Sequence, residues 1–361
     1  MNFMQSIKAI ACSCLLVSSF SSTSWAAEFV AKMGHSMPNE HPQSRTVERF
    51  AELVKKGTDG RVNIQVYSGG VLGGDEKMLR ATQAGTQEIY YGSLAPISGR
   101  VKELQIFDFP FVFNDMDEVD YVFQGAMGQR LFKLLEPLGL VGLAWVETGF
   151  RQVSNNKRPI NKVEDMKGLK IRVMQNQVAL ETFKAMGINA LPMDFAEVFT
   201  ALETGVIDGQ ENPLIHMYAN KMQEVQKYVT ITNHVYTSSI IIVSKKFWDK
   251  LSPVDQQVIE KSAKEVQQFH RNIMSEADKD VVKKLTDAGV QVVTLPPEEV
   301  DKLRIAVKPV VAKYTPMVGE TFVKEFYAEV EKARAQKKSL TIRYPGNFLT
   351  KLPGCIYFIA E

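Results

Sequence analysis

Short segments with strand-like patterns alternate along the chain with segments of helical periodicity. Alternating or continuous apolar residues predict strands over Val62–Tyr67, Ile89–Tyr91, Gly142–Val146, Leu169–Val173, Ile240–Val243 and Val290–Leu295. Apolar residues at three- and four-residue steps predict helices over Arg45–Lys56 and Ala196–Thr204. Alternation of this kind is typical of an α/β architecture.

One helical pattern is much longer than the others and runs from Ser252 to Gly289. Ser252 suits an N-cap, Pro253 the first turn and Gly289 the C-terminal stop. Its apolar side chains recur at helical steps: Val258, Ile259, Val266, Phe269, Ile273, Ala277, Val281 and Leu285. At about 1.5 Å per residue the helix measures about 50 Å, which exceeds the ~30 Å of a small domain. We expect it to span two lobes that enclose a cleft. A dimeric coiled coil is the alternative, although a strict heptad is lacking.

The N-terminal segment has the pattern of an export signal. Met1–Lys8 carries one positive charge, Ala9–Phe20 is apolar, and small residues predict cleavage after Ala26. The apolar stretch is about half of the ~20 residues that a spanning helix needs, which favours a cleaved signal peptide over residues 1–26 rather than a retained anchor. Cleavage would leave Cys355 as the one cysteine of the mature chain, which excludes an internal disulfide or a zinc cluster.

Composition and charge narrow the class of protein. The 361 residues favour two domains, and 45% hydrophobic with 23% charged residues is typical of a soluble globular chain. The formal net charge is +2, from 43 basic and 41 acidic residues mixed along the sequence. Without a basic tract, a nucleic-acid partner lacks its usual electrostatic signature.

Signatures of common enzyme classes are absent from the sequence, including G-x-x-x-x-G-K-[ST], G-x-S-x-G, H-E-x-x-H and paired C-x-x-C. The stretch Gly69–Gly74 is conceivable as a phosphate cradle, but its spacing is wrong for a dinucleotide and no lysine closes a P-loop. A glycine turn near the cleft is the favoured interpretation. The histidines lack metal-ligand spacing on one helical face, so we expect neither a metal nor a cofactor.

Two long motifs carry the most specific information: NNKRPINKVEDMKGLKIRV over Asn155–Val173 and LPMDFAEVFTALETGVIDGQENP over Leu191–Pro213. With them, the chain from about Phe29 to about Ala335 closely resembles the DctP-like solute-binding proteins of tripartite ATP-independent periplasmic (TRAP) transporters. Similar residues of that family also occur here as Phe109-Pro110-Phe111, Phe113, Gly149-Phe150-Arg151, Thr232-Asn233-His234 and Phe247-Trp248. The resemblance implies a two-lobe α/β periplasmic binding protein fold, with hinge strands and a long helix across both lobes.

We predict that residues 27–149 with 238–277 form lobe I, and that residues 150–237 with 278–335 form lobe II. Residues 336–361 match no family pattern and are treated as a C-terminal extension of unknown role, apolar around Cys355.

The resemblance implies roles for residues of these motifs. Arg172 is expected to bind the ligand carboxylate through both guanidinium nitrogens, with Arg151 as a second ligand arginine. Asn212 is expected to bond the same carboxylate, and Phe195 to pack on the ligand. A planar guanidinium fits a carboxylate bidentately, which lysine does not. Ordinary structural explanations exist as well: an ion-paired strand arginine, a turn asparagine before Pro213 and a core phenylalanine.

Further residues are candidates for selecting among ligands because of their position: His35, Ser93, Gln175, Asn176, His234 and Tyr236. Ser93 stands where sialic-acid-binding relatives carry an acidic residue, which weakens a prediction of that amino sugar. Gln175, Asn176 and His35 are able to bond hydroxyls or a second carboxylate, but each could equally cap a helix or face solvent.

We therefore expect a monomeric periplasmic binding protein, not an enzyme, that captures a C4-dicarboxylate or a sugar acid. It would deliver this ligand to the small and large membrane subunits of a transporter driven by an ion gradient. A periplasmic sensor for a receptor would share the same cleft. An exported enzyme would have to use His35 or His234 as general base, without a recognisable nucleophile, metal site or carboxylate pair.

Overall fold

The computed structural model describes residues 28–343. The predicted signal peptide over 1–26, its cleavage after Ala26, and Cys355 lie outside the described residues. The strands are β1 Phe29–Gly34, β2 Val62–Tyr67, β3 Ile89–Ser93, β4 Leu140–Phe150, β5 Gln152–Asn155, β6 Lys170–Val173, β7 Asn189–Pro192, β8 Gly209–Asn212, β9 Tyr228–Ile231, β10 Tyr236–Ser244 and β11 Gln291–Thr294. The helices are α1 Pro42–Gly57, α2 Asp75–Ala84, α3 Ala95–Ser98, α4 Met116–Gln124, α5 Ala126–Lys133, α6 Gln177–Ala185, α7 Phe195–Glu203, α8 Leu214–Ala219, α9 Lys245–Trp248, α10 Pro253–Asp287, α11 Pro297–Val318 and α12 Glu320–Arg343.

The strands form two separate sheets, and each sheet is the centre of one lobe. The first sheet has the order β2-β1-β3-β10-β4, with β10 antiparallel to both of its neighbours. The second has the order β11-β9-β5-β8-β6-β7, in which β6 is parallel to β7 and β8. Apolar side chains of the helices cover these sheets, so the two-lobe α/β fold expected from the motifs is confirmed.

The strands predicted from hydrophobic patterns occur in the structure, but β10 is longer than its predicted core, Ile240–Val243. All nine residues of β10 are buried, including the polar Thr237, Ser238 and Ser239. A pattern of apolar residues misses such positions because buried polar side chains look like surface in a sequence. Their burial indicates that this strand lines an interior polar surface.

The chain crosses between the sheets at two adjacent segments. Arg151 links β4 to β5, and the segment 232–235 links β9 back to β10. The backbone amide of Arg151 donates to the carbonyl oxygen of Val235 at 2.9 Å. The side-chain oxygen of Gln152 accepts from the amides of Thr232 and Asn233 at 2.8 and 3.0 Å. These bonds tie the two crossings together into one hinge.

Helix α10 confirms the prediction of a long helix that spans both lobes. The hydroxyl of Ser252 accepts from the backbone amide of Asp255 at 3.1 Å, as expected of an N-cap. The first half of the helix packs into the core of the first sheet and the second half into that of the second: Ile259, Ala263 and Val266, then Met274, Val281 and Leu285.

The buried face of α10 differs from the predicted apolar stripe in the middle of the helix. Phe269 and Ile273 are only half-buried, whereas His270 and Met274 are fully buried. Burial of His270 is possible because both ring nitrogens are bonded, one to the hydroxyl of Thr46 and one to the carbonyl oxygen of Glu147, each at 2.8 Å.

The C-terminal helix packs differently from the predicted division of the chain. The sequence predicts residues 278–335 in lobe II, yet Phe322, Phe326 and Val330 of α12 lie in the core cluster of the first lobe. The ring of Phe326 lies 5.5 Å from that of Phe107. Helix α12 therefore returns the chain to the first lobe, and the remaining boundaries stay a prediction. Within residues 28–343, no helix has the length and apolarity to cross a membrane.

Replacement of Gln268 tests the bridging role of α10. Gln268 is exposed near the middle of the helix, so Gln268→Pro removes a backbone hydrogen bond without disturbing a core contact. We expect the free energy of unfolding, measured in urea, to fall by ~3 kcal/mol or more. Hydrogen exchange should accelerate in β1 and β9 alike, since both lobes pack on the helix. Gln268→Ala is the control and should change neither the free energy of unfolding nor the exchange rates. Faster exchange in only one lobe would contradict the claim that α10 bridges the two lobes.

Candidate functional site

A cavity of about 230 Å³ lies between the two lobes, next to the hinge. The first lobe contributes Tyr91, Ser93 and Thr148 to its wall, and the second contributes Arg172 and Asn212. Sites for drug-sized molecules measure about 300–1,000 Å³, so this cavity suits a smaller molecule.

The topology of the second sheet brings three of the predicted residues to one edge. Strands β6 and β8 are parallel, with Arg172 opposite Gln210, so Asn212 lies at the same carboxyl end as Arg172. Strand β5 runs antiparallel to β8 with Gln152 opposite Asn212, which places Arg151 beside them. Ligands of open α/β sheets bind at the carboxyl ends of strands, where these side chains meet.

Arg172 is buried with only part of its hydrogen-bonding capacity used. Its Nε and Nη2 donate to the carbonyl oxygen of Met193 at 2.9 and 2.7 Å. Among the described residues no carboxylate lies within ion-pair distance of this guanidinium and no other hydrogen-bond partner occurs, so Nη1 and one hydrogen of Nη2 remain available. Burial lowers the pKa of Arg172 to about 10, which still leaves the side chain charged at neutral pH.

Arg151, in contrast, already has a carboxylate partner. Its Nε bonds the Oε2 atom of Glu211, and its Nη2 bonds Oε1 at 2.9 Å. Burial alone would raise the pKa of Glu211, but the charge of Arg151 and the hydrogen bonds from His234 and Arg151 lower it to about 2. This buried pair is neutral as a unit, which leaves Arg172 as the cation of the cavity wall without an ion-pair partner among the described residues.

His234 supports this ion pair from behind. Its Nε2 lies 3.3 Å from Oε2 of Glu211, and its Nδ1 lies 2.8 Å from the hydroxyl of Thr232. Burial lowers the pKa of His234, although Glu211 acts in the opposite direction, so the ring is neutral at pH 7. Because a carboxylate only accepts, Nε2 carries the proton and Nδ1 accepts from Thr232.

Asn212 is held by a chain of buried amides and a hydroxyl. Its Nδ2 donates to Oε1 of Gln210 at 2.6 Å, and Nε2 of Gln210 donates to the hydroxyl of Ser154 at 2.8 Å. Ser154 in turn donates to Oε1 of Gln226 at 2.9 Å. This chain fixes the orientation of the Asn212 amide at the cavity wall.

The structure places these predicted site residues around one cavity: Arg172, Arg151, Asn212, Phe195, Ser93 and Gln175. The ring of Phe195 lies 5.8 Å from the guanidinium carbon of Arg172, within the range of a cation–π contact. The hydroxyl of Ser93 accepts from the amide of Ala95 at 3.1 Å and so also caps a turn.

Four other predicted residues do not line this cavity. His35 is buried beside Ser68, whose hydroxyl lies 3.1 Å from its Nε2. Asn176 caps α6, where its oxygen accepts from the amide of Ala179 at 2.7 Å. His234 is turned towards Glu211 instead of the cavity.

Tyr236 is the fourth, and the alternation of side chains along β10 explains its position. Its ring packs 5.8 Å from that of Phe113, on the face of the strand away from the cavity. Thr237 and Ser239 occupy the cavity face instead. Successive strand residues point to opposite faces, so an error of one residue exchanges a core position for a cavity position.

Sequence reasoning missed several polar residues of the cavity wall: Gln43, Asp75, Tyr91, His216, Thr237 and Asp194. Two of these had a detectable signal. Asp194 directly precedes Phe195 in the PMDF motif and caps α7, and Asp75 directly follows the glycine turn 69–74. The others carry no local pattern, because the fold alone brings them to the cavity.

The glycine turn is confirmed as a turn, with positive φ angles of 67° and 71° at Gly69 and Gly70. It leads into α2, and its last residue, Gly74, faces Asp194 of the other lobe. A Cβ atom on Gly74 would overlap the carboxylate of Asp194, so glycine allows this close approach between the lobes without a shift of that side chain. Within the described part of the chain, no group of three or more His, Cys, Asp or Glu side chains is arranged to hold a metal ion.

Comparison with known proteins identifies the family of the chain. The sequence profile of the bacterial extracellular solute-binding proteins, family 7 (DctP), matches residues 33–316. The chain belongs to this DctP family. The family predicted from the motifs is therefore confirmed.

Relatives within the DctP family include proteins with described ligands. The sugar acid binding protein DctPAm of Advenella mimigardefordensis, solved with galactonate, is 38% identical, with a TM-score of 0.83 over 85% of this chain and 99% of that one. A TRAP periplasmic solute-binding protein of Polaromonas sp. JS666, bound to D-erythronate, is 35% identical, with a TM-score of 0.80 over 83% of this chain and 98% of that one. The C4-dicarboxylate-binding periplasmic protein DctP of Rhodobacter capsulatus is 35% identical over 73% of this chain and 79% of its own length.

Substitution of Glu211 tests the buried ion pair. Glu211→Gln leaves Arg151 buried without its carboxylate, so we expect the free energy of unfolding at pH 7 to fall by roughly 3–5 kcal/mol. Because the pKa of Glu211 is lowered from 4.5 to about 2, its contribution is present above pH 4.5 and is lost as the pH falls towards 2. Urea unfolding at a series of pH values measures this contribution. Between pH 4.5 and 2 the free energy of unfolding should fall less in Glu211→Gln than in the wild type. Glu260→Gln, exposed on α10, is the control; equal pH dependence of Glu211→Gln and wild type would contradict the assignment.

Proposed function

We propose that this chain is the extracytoplasmic solute-binding protein of a TRAP transporter and captures a small organic acid in the interlobe cavity. The observation that carries the proposal is Arg172, a buried guanidinium with a free edge and no carboxylate partner among the described residues. A ligand carboxylate supplies the missing counter-charge. Relatives named for galactonate, D-erythronate and C4-dicarboxylates support the chemical class of the ligand.

In this proposal the ligand carboxylate binds the free edge of Arg172 through Nη1 and Nη2, while Met193 holds the other edge. The amide of Asn212 bonds the same carboxylate, and Arg151, which also lines the cavity, is the second arginine near it. Charge-assisted bonds in a poorly hydrated cavity are roughly twice as strong as neutral ones. The Phe195 ring covers the site, which keeps water from competing for Arg172.

Capture requires that the lobes open and close. The two tied crossings at Arg151 and 232–235 form the hinge, and α10 keeps the lobes aligned during the movement. Ligand contacts to both lobes stabilise the closed form relative to the open one.

The location and partners follow from the family. We propose that the chain works in the periplasm as a monomer, without enzymatic activity, and delivers its ligand to the small and large membrane subunits. Relatives are named periplasmic binding proteins, which supports this assignment.

The central prediction concerns Arg172. Arg172→Ala should weaken binding by roughly 2–5 kcal/mol, on the order of thirtyfold to several thousandfold, because it removes the counter-charge of a buried carboxylate. Arg172→Lys should recover little of the lost affinity, since lysine lacks the planar guanidinium that bonds a carboxylate through two nitrogens. The measurement is calorimetry with the acid that gives the largest thermal shift in an organic-acid panel. Arg49→Ala, an exposed site on α1, is the matched control. Affinity within threefold of wild type in the Arg172 variants would defeat the proposal.

Closure is tested by small-angle scattering of the same protein. A saturating concentration of the acid should reduce the radius of gyration and narrow the distance distribution, because the lobes move together around the hinge. Arg172→Ala at the same acid concentration is the control, and its distance distribution should stay the same as without the acid. Identical curves for wild type with and without the acid would contradict closure.

A further inference from the structure

Two acidic side chains from different lobes meet at the wall of the cavity: Asp75 and Asp194, here called the acidic pair. The hydroxyl of Ser36 donates to Oδ1 of Asp75 at 2.9 Å, and the amide of Ala196 donates to Oδ1 of Asp194 at 3.0 Å. Among the described residues, neither carboxylate has a basic side chain within ion-pair distance. Burial raises the pKa of Asp75 to about 6, which leaves it mostly ionised at pH 7.

The charges of the cavity wall do not favour a ligand with two carboxylates. Arg151 is neutralised by Glu211, and Glu76, which also lines the cavity, is paired with Arg80 and Arg100. Among the described residues, three charged groups of the wall have no ion-pair partner: the cation Arg172 and the two carboxylates of the acidic pair. The first ligand carboxylate pairs with Arg172, and the wall offers no further unpaired cation for a second one. A second ligand carboxylate would face like charge in a poorly hydrated site, which is strongly unfavourable.

The cavity wall also carries neutral polar atoms without partners. No described residue offers a hydrogen-bond partner to four of these atoms: Nε2 of Gln43, the hydroxyls of Tyr91 and Thr237, and Nδ1 of His216. Each of these residues is at most 6% exposed, and all of them line the cavity. Buried polar atoms are normally bonded, so these atoms fit a ligand with several neutral polar groups. Hydroxyl groups suit them because a hydroxyl both donates and accepts.

We propose that the ligand is a polyhydroxylated monocarboxylate of the aldonate type and not a dicarboxylate. This rests on the proposed function, because the carboxylate occupies Arg172. The hydroxyls bond the unpartnered atoms along the wall, and at least one donates to the acidic pair. Asp75 and Asp194 are then the residues that exclude a second carboxylate.

The test uses ligands matched except for the second carboxylate. D-Galactonate and galactarate have the same six-carbon chain and differ at one terminal carbon, so they are the matched pair. D-Erythronate and succinate are a second, four-carbon comparison, in which succinate lacks the hydroxyls as well. Calorimetry on the purified protein should show D-galactonate bound about 100-fold or more tighter than galactarate, a ratio equivalent to about 2.7 kcal/mol. D-Erythronate should bind tighter than succinate in the same way.

Charge-neutral variants assign this preference to the acidic pair. Asp75→Asn combined with Asp194→Asn keeps the acceptor oxygens for Ser36 and Ala196 and removes both charges. The preference for galactonate over galactarate should then fall to about tenfold or less. Glu197→Gln, an exposed charge on α7 outside the cavity wall, is the control and should keep the wild-type ratio. Circular dichroism verifies that the variants are folded.

Each alternative outcome has a distinct meaning. Tighter binding of galactarate or succinate, lost in Arg172→Ala, would overturn the inference and leave the proposed function intact. Tightest binding of 4-aminobutanoate would show that the acidic pair receives an ammonium group, and would overturn the inference too. An unchanged ratio in the double Asn variant would remove the acidic pair as its cause. Binding of none of these acids to wild type would defeat both the inference and the proposed function.

Discussion

The guanidinium of Arg172 is buried, and no carboxylate of the described residues lies within ion-pair distance of it. The rest of the site depends on this constraint. An isolated buried charge is costly unless its donors are bonded. One edge of the guanidinium is therefore bonded to the carbonyl of Met193, while the neighbouring Arg151 is neutralised by Glu211. This division of roles leaves the Nη1/Nη2 edge of Arg172 as the part of the site that the proposed carboxylate occupies.

The two-lobe fold supplies what this arrangement needs. Parallel strands β6 and β8 bring Arg172 and Asn212 to one sheet edge, and the crossing at Arg151 joins that edge to the first lobe. The first lobe contributes neutral donors and acceptors from β3, β4 and β10. The cavity wall is thus divided between the lobes, so the proposed ligand would contact both of them and favour closure.

Much of the fold was predictable from sequence, and so were Arg172, Arg151 and Asn212 as residues of the cavity wall, because their signals are local or lie within long motifs. The cap at Ser252 and the length of α10 illustrate the local kind. Contacts between distant segments were not predictable. His270 is buried because of bonds to Thr46 and Glu147, and Gln43 and His216 reach the cavity only through the fold.

Positions within a strand were a second source of error. Tyr236 and Thr237 are adjacent, yet one belongs to the aromatic core and the other to the cavity, since side chains alternate across β10.

A crystal structure of the protein with its tightest-binding acid tests the account most directly. The account predicts the ligand carboxylate on Nη1 and Nη2 of Arg172, with hydroxyls directed to Asp75 and Asp194. A carboxylate bound elsewhere in the cavity, with the free edge of Arg172 facing water, would contradict it.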